Sequence, residues 1–164
     1  AITILQLAKG YAVLSNGGYA IEPTLIYKEK KKNNKNNRIL NKGTSEQVVS
    51  ALRKIVNTEE GTAKFADVQS YEIGGKTGTA DQPDGGAYSE AKINTFASIF
   101  PINEPKYVFI VMLEDTKLSK SYVYNYRNKP GSFVGTPFNT AGWTSVEVAA
   151  KIIEKIGPIL ATKY

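Results

Sequence analysis

The segment from Tyr107 to Leu113 constrains the fold of this chain more than any other, because its uninterrupted apolar residues give a strand two apolar faces. The run is far shorter than the roughly 18 apolar residues that indicate a membrane span. A strand that is apolar on both faces is typical of the interior of a sheet with helices on both sides. The sequence therefore predicts a central strand covered by helices.

Two further strands are predicted before it, at about residues 69–80 and 94–100. The turn residues Asn103 to Lys106 are few enough to join the second and third strands as an antiparallel hairpin. Residues 19–27 have strand-like composition interrupted at Pro23, which predicts an edge strand or an extended crossing segment. Residues 117–140 are polar and aromatic and contain Gly and Pro, so we expect a long surface loop there.

Three helices are predicted from capping signals followed by apolar periodicity. The signals are Thr3-x-x-Gln6, Thr44-x-x-Gln47 and Thr144-x-x-Glu147. Near the end of the last helix, Gly157-Pro158 is expected to disturb the final turns. Helices and strands alternate without a repeat or a linker, so we predict one α/β domain of the α+β type, an antiparallel sheet flanked by helices.

The composition excludes several kinds of chemistry. The chain has neither His nor Cys, so it offers no imidazole base, no thiolate and no His/Cys metal site. Its net charge of +6 is concentrated in one Asn-rich segment, and no aromatic residues are interleaved there to stack on bases. We therefore interpret the segment as a solvated loop and predict no nucleic-acid binding. Its basic residues are Lys28, Lys30, Lys31, Lys32, Lys35 and Arg38.

The string from Gly74 to Ala80, Gly-Gly-Lys-Thr-Gly-Thr-Ala, carries the clearest functional signal. On a strand, the hydroxyls of Thr77 and Thr79 project to one side, and Lys76 adds a compact ammonium, as a carboxylate-binding site requires. The three glycines are expected to leave room for a ligand backbone along the strand edge. The backbone N–H of Thr79 is a candidate donor to a developing oxyanion.

Two other interpretations fit parts of this string. A phosphate-binding loop also ends in Gly-Lys-Thr, but its pattern requires a glycine at position 70, where this chain has Ser70. If only Lys76, Thr77 and Gly78 matched, the better interpretation would be a Gly-rich strand with an exposed lysine and no binding function. The whole string, placed between a turn and a second strand, is more specific than that.

Over nearly its whole length the chain resembles the C-terminal half of the transpeptidase domain of class B, high-molecular-mass penicillin-binding proteins of the septal type. The resemblance implies a partial β-lactamase/transpeptidase-like fold over residues 1–164. Ile4 departs from the family, which often has Pro there, and the basic Asn-rich insertion also differs. The matching strings are residues 3–8, Asn16-Gly17-Gly18 with Pro23, Gly61-Thr62-Ala63, Lys76 to Ala80, and residues 97–101.

The resemblance implies roles for four residues: Lys76, Thr77, Gly78 and Thr79 would bind the carboxylate of a D-Ala-D-Ala stem peptide, with Lys76 and the Thr79 N–H taking part in catalysis. No Ser-x-x-Lys or Ser-x-Asn string precedes Gly74, so we expect this chain to be inactive on its own. Ser89-Glu90-Ala91-Lys92 and Tyr126-Arg127-Asn128 match those motifs loosely, but they follow Lys76 and invert the family's order. Residues 81–93 would form a loop along one wall of the cleft.

The resemblance also implies partners and a location. They are peptidoglycan stem peptides, β-lactams and division-complex proteins, on the periplasmic side of a bacterial inner membrane to which an N-terminal part would attach the protein. No cofactor is implied, because serine acyl transfer needs none. Apolar surface left exposed in this chain predicts self-association. Two alternatives remain: a non-catalytic module that binds a cell-wall peptide or a division protein, and a β-lactamase or sensor relative.

Overall fold

The computed structural model describes residues 2–26, 37–125, 131–135 and 138–162. The basic segment except Arg38, and the Tyr126-Arg127-Asn128 string, lie outside the described residues. Helices and strands are mixed as predicted. The helices are α1 (Ile4–Ser15), α2 (Lys42–Asn57) and α3 (Ser145–Ala161); the strands are β1 (Gly74–Asp84), β2 (Ala87–Phe100), β3 (Tyr107–Glu114), β4 (Val123–Asn125) and β5 (Ser132–Val134).

Strands β1, β2 and β3 form an antiparallel sheet in that order. The predicted hairpin between β2 and β3 is confirmed. The prediction that Tyr107–Leu113 is a central strand is wrong within the described residues, where β2 is central and β3 lies at an edge. Both faces of β3 are apolar because Val111 packs on the α3 side and Val108 packs on the side of α1 and α2.

The larger part of the core lies between the sheet and α3. Phe96 of β2 and Ile153 of α3 are fully buried there, together with Ile73 directly before β1. On the other face, Leu52 of α2 packs against Ile99 of β2. None of the helices in the described ranges combines the length and the apolar character needed to cross a membrane.

The helix starts agree only partly with the predictions. At α1, Thr3 and Gln6 form the predicted reciprocal capping box. Helix α2 begins at Lys42, so the Thr44 prediction is wrong: buried Ser45 donates to the Leu14 carbonyl at 2.6 Å and ties the first turn of α2 to α1. Helix α3 follows Thr144, but the Thr144 hydroxyl bonds back to the carbonyl of residue 140.

The structure corrects two predicted loops and decides against the edge-strand alternative for residues 19–26, while the alternative of an extended crossing segment stands. Residues 81–93 are mostly strand, because β1 and β2 continue as a hairpin to Gly85-Gly86, both with positive φ, and this two-residue turn is the signal that was missed. Residues 19–26 contain only an isolated bridge from Tyr19 to Arg38. The segment predicted as one long loop after Lys117 contains the short pair β4–β5.

Candidate functional site

The backbone of β1 has an open edge, because β1 is the outer strand of its sheet in the described part of the chain. The carbonyls of Ile73 and Thr77 accept hydrogen bonds from the side chains of Arg53 and Lys76, each at 2.8 Å. We infer that both residues belong to the set that is not hydrogen-bonded to β2, whose N–H and C=O groups point away from it. Because that set recurs every second residue, the N–H of Thr79 also points to the open edge.

The hydroxyls of Thr77 and Thr79 lie on one face of β1, and each has a partner within the protein. Thr77 Oγ1 lies 2.8 Å from Thr62 Oγ1, an exposed hydroxyl in the turn before the strand. Thr79 Oγ1 accepts the backbone N–H of Ala141 at 2.9 Å and donates to Asn94 Oδ1 at 3.2 Å. The two hydroxyls therefore differ: one joins another hydroxyl at the surface, and the other is tied into the protein.

Lys76 is exposed, and its side chain leaves the strand on the opposite face from that of Thr77. Its ammonium turns back to the strand and donates to the Thr77 carbonyl at 2.8 Å. Among the residues that the structure describes, Lys76 forms no ion pair. Its positive charge is therefore held close to the open edge without a protein carboxylate beside it.

The glycines of the string serve different purposes, which corrects the expectation that all three leave room for a ligand. A Cβ on Gly74 would lie 2.4 Å from the Ile102 side chain, and one on Gly75 would lie 2.6 Å from the Phe96 ring. Both glycines are buried and are required by internal packing. Gly78 is exposed, and a Cβ there would have no neighbour closer than 4.0 Å. Only Gly78 borders open space.

A cavity of about 440 Å³ opens beside the hydroxyl face of β1. One wall includes Trp143, whose ring makes edge-to-face contacts with Phe65 and Tyr124 at centroid distances of 5.1 and 4.9 Å. A Cβ on Gly142 would lie 2.6 Å from the Thr62 carbonyl, so this glycine permits close contact between two walls. The cavity is lined by Glu60, Gly61, Thr62, Lys64, Phe65, Thr77, Thr79, Thr140, Gly142 and Trp143.

A buried polar network lies behind Thr79. Asn94 of β2 is fully buried, and its Nδ2 donates to Thr116 Oγ1 and to Asn139 Oδ1, each at 2.8 Å. Thr116 Oγ1 donates to Asn139 Oδ1 at 2.6 Å, and Asn139 Nδ2 donates to the Thr116 carbonyl at 2.7 Å. The network thus connects the motif strand to the segment after β3 and to the segment before α3.

The family model of the penicillin binding protein transpeptidase domain matches residues 1–131 of the chain. The match covers well over half of the 164 residues. The chain belongs to this family. The resemblance inferred from the Lys76 to Ala80 motif and its flanking strings is therefore confirmed.

Two curated relatives of the chain are named as peptidoglycan D,D-transpeptidases. The chain is 33% identical over 146 residues to a peptidoglycan D,D-transpeptidase FtsI homolog of Mesostigma viride, covering 76% of this chain and 24% of the relative. It is 28% identical over 170 residues to a probable peptidoglycan D,D-transpeptidase FtsI of Caulobacter vibrioides, covering 99% of this chain and 27% of the relative. The chain thus spans about a quarter of the length of these relatives.

Solved transpeptidase domains share the fold. The domain of Burkholderia pseudomallei penicillin-binding protein 3 superposes with a TM-score of 0.72 at 21% identity, covering 96% of this chain and 43% of that one. The domain of Legionella pneumophila FtsI4 gives 0.63 at 22% identity, covering 93% and 46%. At identities this low, the structural likeness shows the fold alone. It confirms the predicted transpeptidase-like sheet flanked by helices.

Ser89 does not form the serine–lysine pair that penicillin-binding proteins use. It lies in β2 rather than in the predicted loop, and its hydroxyl donates to the Gln82 carbonyl at 3.1 Å. Lys92, three residues on, pairs instead with Asp81 of β1. The two side chains are therefore not brought together.

Asn94, Thr116 and Asn139 were not predicted as site residues, and Thr62 was predicted only within the matching string Gly61-Thr62-Ala63. A polar residue at the start of the predicted strand 94–100 was the available signal for Asn94, whereas its partners lie 22 and 45 residues away. In the described ranges, no group of three acidic, His or Cys side chains is placed to hold a metal ion.

Proposed function

We propose that the chain supplies the substrate-binding part of a serine D,D-transpeptidase, and that it holds the terminal carboxylate of a D-Ala-D-Ala stem peptide or of a β-lactam. The single observation that carries the proposal is the open edge of β1, where the Lys76 ammonium is held at the Thr77 carbonyl and the hydroxyl of the same Thr77 pairs with Thr62 at the surface. Membership of the transpeptidase family supports the same reaction class.

The groups on β1 suit a carboxylate. Lys76 supplies a positive charge at the strand edge, and Thr77 together with Thr62 supplies two neighbouring hydroxyls. A pair of hydroxyls at 2.8 Å shares one proton between its oxygens and leaves the other proton to donate outward. Hydrogen bonds to an ionised acceptor are roughly twice as strong as neutral ones, so an arriving carboxylate competes well for these donors.

The chemical step that follows is acyl transfer. A serine hydroxyl from outside this sequence would attack the carbonyl of the penultimate D-Ala and form an ester, while the C–N bond to the terminal D-Ala breaks and the amine of that D-Ala takes up the serine proton. The N–H of Thr79, at the open edge, would donate to the oxyanion that forms on that carbonyl. Gly78 beside it leaves the approach open. This chain would therefore bind and polarise the substrate without supplying the nucleophile.

The setting of the whole protein follows from the same assignment. We propose that it acts on peptidoglycan at the periplasmic face of a bacterial inner membrane, with division proteins as partners, because relatives carry FtsI names. Ile4 and Leu5 of α1 are 48% and 60% exposed, which supports self-association of the chain when it is alone. A mass by light scattering that stays monomeric at every concentration would contradict that last expectation.

The test compares acylation by benzylpenicillin in the 164-residue chain and in the protein encoded by the complete reading frame. We expect no covalent adduct on the chain and a stoichiometric adduct on the complete protein, measured by intact-protein mass spectrometry. In the complete protein, Lys76→Ala should lower the second-order acylation rate constant about 10- to 100-fold, because it removes one charge-assisted hydrogen bond to the carboxylate. Exposed Lys106, on the connection between β2 and β3, provides the matched control Lys106→Ala, with no change expected.

An adduct on the 164-residue chain would refute its inactivity alone. An unchanged rate for Lys76→Ala would refute the carboxylate site. A complete protein that binds the D-Ala-D-Ala peptide but is never acylated would instead identify a non-catalytic binding module, and rapid hydrolysis of the acyl-enzyme would identify a β-lactamase.

A further inference from the structure

We propose that Asn94 is a positioning residue that acts through Thr79 and sets the rate of the acylation step. The proposal rests on the function proposed above and concerns a residue on β2 that has no direct path to the ligand, since it is fully buried. In this proposal the Thr79 hydroxyl fixes the position of β1, and Lys76 with the Thr62–Thr77 hydroxyl pair binds the carboxylate.

The hydrogen-bond directions in the network follow from one group that can only accept. The Thr116 carbonyl must receive an N–H, so Asn139 presents Nδ2 to it at 2.7 Å and turns Oδ1 toward Thr116 Oγ1 and Asn94. Asn94 must therefore present its Nδ2 to that oxygen and its Oδ1 to Thr79. The Thr79 hydroxyl is then the donor of its bond to Asn94.

Thr79 is consequently held at two points. Its only hydroxyl proton is directed to Asn94, and one of its lone pairs receives the N–H of Ala141. The hydroxyl could donate to a ligand carboxylate only by giving up Asn94. Its position fixes the backbone of Thr79 relative to β2 and to the segment before α3, and the N–H of the same residue points to the open edge.

This arrangement predicts which kinetic constant depends on Asn94. A donor that is displaced or loosened at the oxyanion weakens transition-state stabilisation, and it leaves ground-state carboxylate binding to Lys76 and the Thr62–Thr77 pair. Asn94→Ala should therefore lower the first-order acylation constant of the complete protein about tenfold. The dissociation constant of the preceding non-covalent benzylpenicillin complex should stay within about twofold, because none of its groups has been removed.

The matched control is Ser98→Ala. Ser98 is also fully buried, lies on the same face of β2 and makes one hydrogen bond, to the Phe109 carbonyl at 2.8 Å. Its loss removes a buried polar contact without reaching Thr79, so the acylation constant should not change. Thr79→Val serves as a second variant if Asn94→Ala does not fold. It removes the Thr79 hydroxyl, keeps the Thr79 N–H and changes an exposed position.

The double variant separates positioning from general stability. In a Thr79→Val background, Asn94→Ala should no longer affect acylation, whereas its effect on the melting temperature should persist through the lost bonds to Thr116 and Asn139. Two results would overturn the proposal. One is an unchanged acylation constant in both single variants; the other is an Asn94→Ala effect on acylation that is as large in the Thr79→Val background as in the wild type. A wild-type protein that is not acylated at all would instead refute the proposed function, and this inference with it.

Discussion

A methyl group at Gly75 tests the packing account of the motif strand. Its Cβ would lie 2.6 Å from two Phe96 ring carbons and 2.8 Å from the Ala97 carbonyl, and the Phe96 side chain is fully buried and cannot swing away. Overpacking of this kind typically costs about 1–3 kcal/mol, from which the entropic gain of Gly→Ala, about 0.4–1 kcal/mol, is subtracted. We expect Gly75→Ala to lower the free energy of unfolding by about 1–2 kcal/mol.

Gly78→Ala is the internal control, because its methyl would meet nothing closer than 4.0 Å. Urea unfolding followed by circular dichroism should show Gly78→Ala within about 0.5 kcal/mol of wild type or slightly more stable. In a Phe96→Leu background, where the ring is gone, Gly75→Ala should cost less than it does in the wild type. Equal stabilities for Gly75→Ala and Gly78→Ala would refute the reasoning that buried packing, rather than ligand access, requires Gly75.

Two further predictions concern α3. Gly157→Ala should destabilise the protein by about 1–3 kcal/mol in thermal unfolding, since its Cβ would lie 2.3 Å from the Tyr71 ring, and no loss would show that the ring moves aside. A hydrogen bond with Tyr122 raises the pKa of Lys151, and burial together with a hydrogen bond to Glu147 raises the pKa of Tyr122. Groups with raised pKa values stabilise the folded state below their unfolded pKa values, so the free energy of unfolding should fall above about pH 10. Tyr122→Phe should flatten that fall, and an unchanged slope would contradict it.

Local signals predicted the parts of the fold that depend on neighbouring residues. Thr3 and Gln6 are three positions apart and form their capping box, and the turn at Asn103 to Lys106 joins two antiparallel strands as expected. The Thr44 prediction was wrong because a contact between Ser45 and Leu14, 31 residues apart, decides where α2 begins. Such a contact leaves no periodic trace in the sequence.

The candidate site was predictable to a similar extent. The residue types and spacing of Lys76, Thr77 and Thr79 indicated which groups could bind a carboxylate, and strand alternation indicated which hydroxyls share a face. The partners of those hydroxyls, Thr62 and Asn94, each lie 15 residues from the threonine they contact, on a turn and on a neighbouring strand. Sheet register brings Asn94 opposite Thr79, and the turn that contains Thr62 packs beside Thr77 from outside the sheet; no short motif encodes either contact.

The central claim is that the open edge of β1 binds a carboxylate, and amide NMR of the ¹⁵N-labelled chain tests it most directly. The chain would be titrated with diacetyl-L-lysyl-D-alanyl-D-alanine and, in parallel, with the same peptide ending in a carboxamide. We predict saturable shifts at the amides of Thr77, Gly78 and Thr79 with the carboxylate peptide, and much smaller ones with the carboxamide. Equal shifts with both peptides, or shifts confined to other parts of the chain, would contradict the account.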